Sequence, residues 1–224
     1  MVVTPHPDDA EFGAAGTVAA WVRRGKEVVY VVCTNGNKGT TDPNMTPERL
    51  ARMREKEQLE AAKVLGVREV VFLRHPDQGL EDTSEFRKQI VRLIRIYRPR
   101  IVITADPYRK YFWHRDHRIT GQVTLDAVFP YARDRLSYPE LLLDGLEPHR
   151  VDEILLWASE DVNYCFDVTD TFDLKMKALY CHVSQVGDWP RGDLENWLRE
   201  RCRTAADGKE YELAESFHRE EVLY

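Results

Sequence analysis

The stretch MVVTPHPDDAEFGAAGTVAAWVRRGKEVVYVVCTN, residues 1–35, contains the first repeat of the pattern that predicts the fold. It places two short β-branched runs, MVVTP and VVYVVCTN, on either side of a helical run that closes at Gly25. Neither apolar run alternates with polar residues, a pattern typical of strands that are covered on both faces. A glycine just beyond the last helical residue is a common helix end. The stretch therefore predicts a strand–helix–strand unit with parallel strands.

The same alternation continues along the chain. A helical run at 46–66, the strand VVFL at 70–73, a helical run at 84–99 and the strand IVITAD at 101–106 follow in turn. Thr46 and Ser84 are predicted as the N-caps of the two helices. The pattern predicts an α/β fold, a Rossmann-like, doubly wound and mostly parallel sheet with helices on both faces.

Beyond about residue 150 the pattern weakens. Strands are predicted in DEILLWAS (152–159) and YCFDVTD (164–170), and a helix in TFDLKMKALYCH (171–182). There is no internal repeat and no low-complexity linker, so we expect a single domain over residues 1–224.

Composition excludes several classes of protein. The chain has 224 residues, 43% hydrophobic and 31% charged, with a formal net charge of -6 and scattered basic residues. This balance argues against a nucleic-acid partner. With no apolar run of about 18 residues and no signal-peptide pattern, we expect a cytoplasmic protein without a membrane span. The four cysteines form no CxxC pair, so a disulfide framework or thiolate metal site is not expected.

Polar segments follow each of the four predicted parallel strands. They are HPDD, TNGNKGTTDP, RHPDQGL and DPYRKYFWHRDHR. In a doubly wound sheet, ligands bind at the carboxyl ends of the strands, so all four segments are expected at one edge. The second has glycines and a lysine but not the order of a phosphate-binding loop, and we interpret it as a mobile rim.

Three of these residues, His6, Asp9 and His117, are candidate ligands of one metal ion. Two histidines and a carboxylate leave a coordination position open for water, as in catalytic zinc sites. If Asp9 binds the metal, the neighbouring Asp8 is free to take a proton from that water. His114 is expected to stabilise the developing oxyanion, and Asp116 to orient His114.

These motifs resemble a known family. PHPDDAEFGAAGT near the N-terminus and HRDHR near the middle are similar to the motifs of the LmbE-like, or PIG-L, zinc-dependent N-deacetylases that act on N-acetylglucosaminyl compounds. The similarity covers most of the chain, because four further segments resemble that family in the expected order: MREKEQLEAAKVLG (53–66), PDQGL (76–80), DVTDTFDLKMKALYCHVSQ (167–185) and GKEYELAESFHR (208–219).

The resemblance implies a zinc-dependent hydrolase that removes an acetyl group from an amino-sugar amide by means of metal-bound water. Matched position by position, it gives the same metal ligands and the same roles for Asp8, His114 and Asp116. It adds Arg54 and His182 as substrate-facing residues, and a homo-oligomer, a trimer or hexamer, as the assembly. The donor set would also accept Fe²⁺ or Co²⁺.

Some features depart from the family or leave alternatives open. Arg115 stands where the family usually has proline, and only four residues precede Pro5. The loop YRKYFW (108–113) is interpreted either as a sugar-stacking wall or as a subunit contact. A metallo-esterase, another amidohydrolase and a non-catalytic zinc-dependent sugar-binding protein are the alternative functions, and the group attached to the sugar stays open.

Overall fold

The computed structural model describes residues 1–111 and 113–223, and it contains the predicted strands. The strands are β1 (Val2–Thr4), β2 (Val29–Thr34), β3 (Glu69–His75), β4 (Ile101–Ala105), β5 (Glu153–Trp157), β6 (Tyr164–Asp167) and β7 (Ala214–Glu221). Within the described ranges they form one seven-stranded sheet in the order β3-β2-β1-β4-β5-β7-β6. The first five pair in parallel, whereas β7 is antiparallel to both β5 and β6.

Eight α-helices are formed by the described residues. They are α1 (Asp9–Arg23), α2 (Pro47–Leu65), α3 (Ser84–Tyr97), α4 (Arg115–Asp126), α5 (Glu140–Leu143), α6 (Phe172–Leu179), α7 (Val183–Val186) and α8 (Arg191–Ala205). A π-helical turn, Ala127–Tyr131, continues α4. Over residues 1–111 and 113–223, the chain makes no helix that is both long and apolar enough to cross a membrane.

Helices cover both faces of the sheet, which confirms the predicted doubly wound fold. Neighbouring residues of one strand point to opposite faces. Accordingly, Val2 and Ile103 belong to one buried cluster, with residues of α1, α6 and α8, while Val3 and Val102 belong to a second, with residues of α3 and α4. The sheet therefore separates two cores, and its strand ends are left to carry the polar segments.

The helix caps agree with the sequence in one case and differ in the other. Thr46 caps α2, and its hydroxyl accepts a hydrogen bond from the Arg49 N–H. Ser84 was expected to cap α3, but the cap is Thr83, whose hydroxyl accepts from the Phe86 N–H. Both residue types cap helices well, and the tertiary position of the preceding loop decides between them.

The HRDHR segment was expected in a loop, but all of it after His114 lies in α4. His114 is the N-cap residue, and Asp116 and His117 lie in the first helical turn. The run RDHRITGQVTLD has few apolar residues, so its helical periodicity is weak. A helical turn fixes the relative directions of these side chains more firmly than a loop does.

Helix α4 approaches β4 closely at Gly121. A Cβ atom on Gly121 would lie 2.4 Å from the Ala105 carbonyl oxygen and 2.9 Å from Pro107 Cδ. We therefore expect Gly121→Ala to lower the free energy of unfolding by about 1–3 kcal/mol, measured by urea denaturation. Gly192→Ala is the control, because nothing lies within 4 Å of its Cβ position. Equal stability of the two variants would contradict this close contact.

Candidate active site

The site lies where the strand order changes direction. The chain leaves β1 for β2 and β3 on one side, and β4 begins the other side. His6 follows β1, and α4 follows β4, so the two segments meet above the carboxyl ends of adjacent strands. Their rings are close, with the His6 centroid 4.6 Å from that of His114 and 5.2 Å from that of His117.

One carboxylate oxygen joins the three predicted metal ligands. Asp9 Oδ2 lies 2.9 Å from His6 Nδ1 and 3.2 Å from His117 Nε2. Ligands about 2.0–2.2 Å from a tetrahedral zinc are separated by roughly 3.3 Å, so the two spacings that involve Asp9 are those of ligands that share a metal ion. The ring nitrogens of His6, His114 and His117 also lie within 4.8 Å of one another. Asp9 and His114 are therefore alternative third ligands of a metal ion bound by His6 and His117.

The other nitrogen of His6 faces two further carboxylates. His6 Nε2 lies 3.0 Å from Asp77 Oδ1 and 3.2 Å from Asp116 Oδ2. Asp116 is itself fixed by the backbone N–H groups of Gln78 and Leu80, at 2.6 and 3.2 Å. A histidine that binds metal through one nitrogen is commonly oriented by a carboxylate at the other. Asp77 and Asp116 therefore favour His6 Nδ1 as the metal-binding atom.

The position of Asp116 differs from the expectation that it orients His114. Among the described residues, no ion pair or hydrogen bond within 4.0 Å joins Asp116 to His114, and its carboxylate contacts His6 instead. Asp116 is fully buried in the first turn of α4, whereas His114, at the N-cap, is exposed. The side chains of His114 and Asp116, two positions apart, point in different directions. The His114 side chain is therefore accessible to a substrate.

The site carries more negative than positive charge. Burial by itself lowers the pKa of His6, but hydrogen bonds to Asp116, Asp77 and Asp9 outweigh it and raise that pKa to about 11. Burial and then the charge of Asp9 raise the pKa of Asp8 to about 7. Both shifts follow from the buried carboxylates that crowd this part of the chain, and a divalent cation would interact favourably with the same carboxylates.

His117 has the opposite shift. Burial lowers its pKa, against the raising effect of the Asp9 charge. The neutral imidazole is the form that binds metal ions, so this environment keeps His117 ready as a ligand.

Asp8 has an unusual backbone conformation for a residue with a side chain. Its φ is 103°, and its N–H donates to Gln58 Oε1 at 3.1 Å. Such conformations persist only where the surroundings impose them, and they concentrate at functional sites. Arg54 adds a second restraint, since its Nη2 donates to the Pro7 carbonyl at 2.7 Å and lies 3.4 Å from Asp8 Oδ2.

A buried chain of hydrogen bonds continues from the Gln58 side chain that accepts from the Asp8 N–H. Gln58 Nε2 donates to Glu11 Oε1 at 2.9 Å, and the other oxygen of Glu11 lies 3.1 Å from His182 Nε2. Burial lowers the pKa of His182, but the hydrogen bond to Glu11 outweighs it and raises that pKa above its usual value. Glu11, Gln58 and His182 are each 0% exposed, so the chain is shielded from solvent.

This chain of hydrogen bonds predicts a positioning role for Gln58. We expect Gln58→Leu to lower kcat by about tenfold to a hundredfold with metal content unchanged, because the Asp8 N–H loses its acceptor and the carboxylate shifts. The measurement is kcat at saturating substrate together with metal analysis. Gln122→Leu on α4 is the control, since Gln122 bonds to Asp126. An unchanged kcat in Gln58→Leu would contradict this role.

The two residues that were predicted to face substrate are both buried. Arg54 is 4% exposed and also donates to the Gly36 and Lys38 carbonyls, at 3.3 and 3.4 Å. His182, fully enclosed, offers no surface to a substrate in this structure. Their substrate contact stays a prediction, while the contacts that they make support the backbone around Asp8.

Sequence reasoning missed Asp77, Glu11 and Gln58. Asp77 directly follows the third strand in PDQGL, so its position at a strand end was the available signal. Gln58 lies one helical turn after Arg54, on the same face of α2. In the loop 108–113, Tyr108, Tyr111 and Trp113 are exposed by 69%, 87% and 84%, and Phe112 lies outside the described residues.

Comparison with known proteins supplies the family. The model of the PIG-L family, GlcNAc-PI de-N-acetylase, matches residues 1–128. The diacetylchitobiose deacetylase of Thermococcus kodakarensis is 34% identical over 197 residues, covering 88% of this chain and 72% of that protein. The chain belongs to the PIG-L family. The family that the sequence resembled is thereby confirmed.

Further PIG-L relatives agree in fold and enzyme class. The structure of N,N'-diacetylchitobiose deacetylase from Pyrococcus horikoshii, in complex with its inhibitor MPG, superimposes with a TM-score of 0.92 at 33% identity, covering 98% of this chain and 82% of that one. Mycothiol S-conjugate amidase of Streptomyces coelicolor is 29% identical, covering 96% and 91% of the two chains. Deacetylases and amidases hydrolyse amides, so the predictions of an enzyme and of its fold are confirmed.

Proposed function

We propose that this protein is a metal-dependent N-deacetylase that hydrolyses the acetamide of an N-acetylglucosamine-type substrate. The observation that carries the proposal is the single oxygen, Asp9 Oδ2, within 3.2 Å of a nitrogen of both His6 and His117. Asp8 adjoins Asp9 in the chain, and its own carboxylate lies 3.4 Å from Arg54 Nη2. Membership of the PIG-L family and the diacetylchitobiose deacetylases among its relatives support the amino-sugar substrate.

His6, Asp9 and His117 would hold the metal. A divalent metal there supplies a Lewis acid that polarises the amide carbonyl and lowers the pKa of water. We propose zinc, because two histidines and one carboxylate form a common catalytic zinc set, although iron and cobalt suit the same donors. Metal analysis of protein purified without added metal tests this choice.

Asp8 and His114 have separate roles in the hydrolysis. Asp8 accepts a proton at its carboxylate from the water that attacks the amide carbon. His114, exposed at the N-cap of α4, donates a hydrogen bond to the oxygen that becomes negative as that attack proceeds. The protonated Asp8, or His114, then delivers a proton to the leaving nitrogen, and the C–N bond breaks to give acetate and the free amine.

The test is amine release from a panel of N-acetylglucosamine conjugates. Protein stripped with a chelator and protein reloaded with zinc are compared, with Asp8→Asn as the blank. Release that requires metal and Asp8 is the expected result. Release of acid from O-acetyl but not N-acetyl substrates would favour the esterase alternative, and tight binding of N-acetyl sugars without release would favour the binding protein.

The oligomeric state and the cellular location of the protein are both predictions. The first is a homo-oligomer, a trimer or hexamer, in which the exposed Tyr108, Tyr111 and Trp113 would be candidates for a subunit contact. Light scattering on the purified protein measures the mass directly.

The second is a cytoplasmic location, which fractionation of the source cells would test.

A further inference from the structure

A large cavity opens from the metal-binding residues into the C-terminal half of the chain. Its volume is about 800 Å³, near the upper end of the ~300–1,000 Å³ range of ligand pockets. Asp9 and His117 are among its lining residues, and Trp157 of β5 with Trp197, Leu198 and Cys202 of α8 line the part that we call the far end. A sugar whose acetamide reaches the metal end would leave much of this volume to whatever is attached to it.

The walls of the far end are apolar. Trp157 is 5% exposed, Leu198 4% and Cys202 6%, so their surfaces lie inside the fold. Trp157 packs against α1 at Gly13, where a Cβ atom would lie 2.7 Å from its ring. Because Gly13 has no side chain, the indole packs directly against α1 while it also lines the cavity.

The buried charges of the cavity are already paired. Lys175 Nζ donates to Glu215 Oε1 at 2.6 Å and to the Phe12 carbonyl at 2.8 Å. Glu215 also accepts from the Gly16 and Thr17 N–H groups, at 2.9 and 2.7 Å. Lys175 and Glu215 therefore use most of their hydrogen-bonding capacity on each other and on the backbone of α1, and little is left for a ligand.

The charged lining residues that follow β5 or belong to α8 are exposed to solvent. Glu160, Glu200 and Arg201 are exposed, and the Arg201 guanidinium lies 5.0 Å from the Trp197 ring centroid. Hydroxyl groups of a second sugar placed against Trp157, Leu198 and Cys202 would lose water without gaining comparable partners from these side chains. An apolar group would instead gain contact with the tryptophan rings.

We infer that the far end of this cavity binds the group attached to the amino sugar, and that this group is apolar, preferably aromatic, rather than a second sugar. The inference rests on the proposed function and specifies its substrate class. Trp197 is then a specificity residue, half-exposed at the entrance of the apolar end.

The test compares the methyl, octyl, phenyl and 2-naphthyl glycosides of N-acetylglucosamine with N,N'-diacetylchitobiose. For zinc-loaded protein, we expect kcat/KM for the naphthyl glycoside to exceed that for the methyl glycoside by at least about tenfold, mainly through KM. Diacetylchitobiose should resemble the methyl glycoside. Equal values for methyl and naphthyl, or a preference for diacetylchitobiose, would overturn the inference and leave the deacetylase function standing.

Two variants locate the effect. Trp197→Ala should bring the naphthyl-to-methyl ratio close to one. Phe129→Ala is the matched control, because Phe129 is similarly exposed, at 44% against 45%, and does not line the cavity. If both variants, or neither, reduced the ratio, the cavity would not be the source of the preference.

A binding measurement separates this inference from the proposed function. In zinc-loaded Asp8→Asn, calorimetry should give an affinity for the naphthyl glycoside at least about tenfold higher than for the methyl glycoside. This result is required whether or not the wild type releases amine. No release from any glycoside would contradict the proposed function, whereas equal affinities would contradict the apolar site.

Discussion

Asp8→Asn is expected to lower kcat by about 10²–10⁴-fold while the protein keeps its metal. The side chain loses the basic oxygen that accepts a proton from the attacking water. The proposed donor set is unchanged, because it contains His6, Asp9 and His117 and not Asp8. The measurement is kcat on an N-acetylglucosamine conjugate, with metal content determined on the same sample.

The variant is informative because the backbone should tolerate it. Asn is among the residues that adopt positive φ most readily, so the 103° conformation at position 8 is retained. The hydrogen bond to the Gln58 side-chain oxygen uses only the backbone N–H of residue 8, so it also survives. Asp207→Asn, an exposed aspartate remote from the site in sequence, controls for the general effect of removing a carboxylate. Near-normal turnover in Asp8→Asn would remove Asp8 from the role of base.

The second large effect is on metal binding, where Asp9→Ala and His114→Ala are expected to behave in opposite ways. Asp9→Ala removes the oxygen that lies 2.9 Å from His6 Nδ1 and 3.2 Å from His117 Nε2. We expect the affinity for metal to fall by more than the ~10–100-fold that loss of an outer carboxylate costs. His114→Ala should keep the metal and lose about 10²–10³-fold in kcat, since it removes one donor to the oxyanion.

The comparison decides between the two donor sets that share His6 and His117. Metal content after dialysis against a buffered free-zinc concentration is measured for both variants and the wild type. Circular dichroism of each variant without metal checks that the fold is intact. Metal retained in Asp9→Ala but lost in His114→Ala would show that three histidines form the ligand set and would contradict the proposed role of Asp9.

The sequence by itself determined the strands of the parallel half and the edge at which the site lies. Continuous β-branched runs predict buried strands because burial on both faces excludes polar residues. Parallel strands end at a common edge, so HPDD and HRDHR were expected to meet, and the His6 and His117 rings lie 5.2 Å apart. These conclusions need only local periodicity and the general geometry of a doubly wound sheet.

Only the tertiary structure decided which side chains touch. Asp116 contacts His6 instead of His114, and Asp77 enters from a third loop, because contact depends on the direction in which each backbone segment projects its side chains. Arg54 and His182 are buried behind Asp8 for the same reason. Strand β7 lies between β5 and β6 and pairs with both, although they are distant from it in the chain. Local periodicity does not predict which distant strands pair. Burial pattern is a property of each segment, whereas contact is a property of two segments and their relative placement.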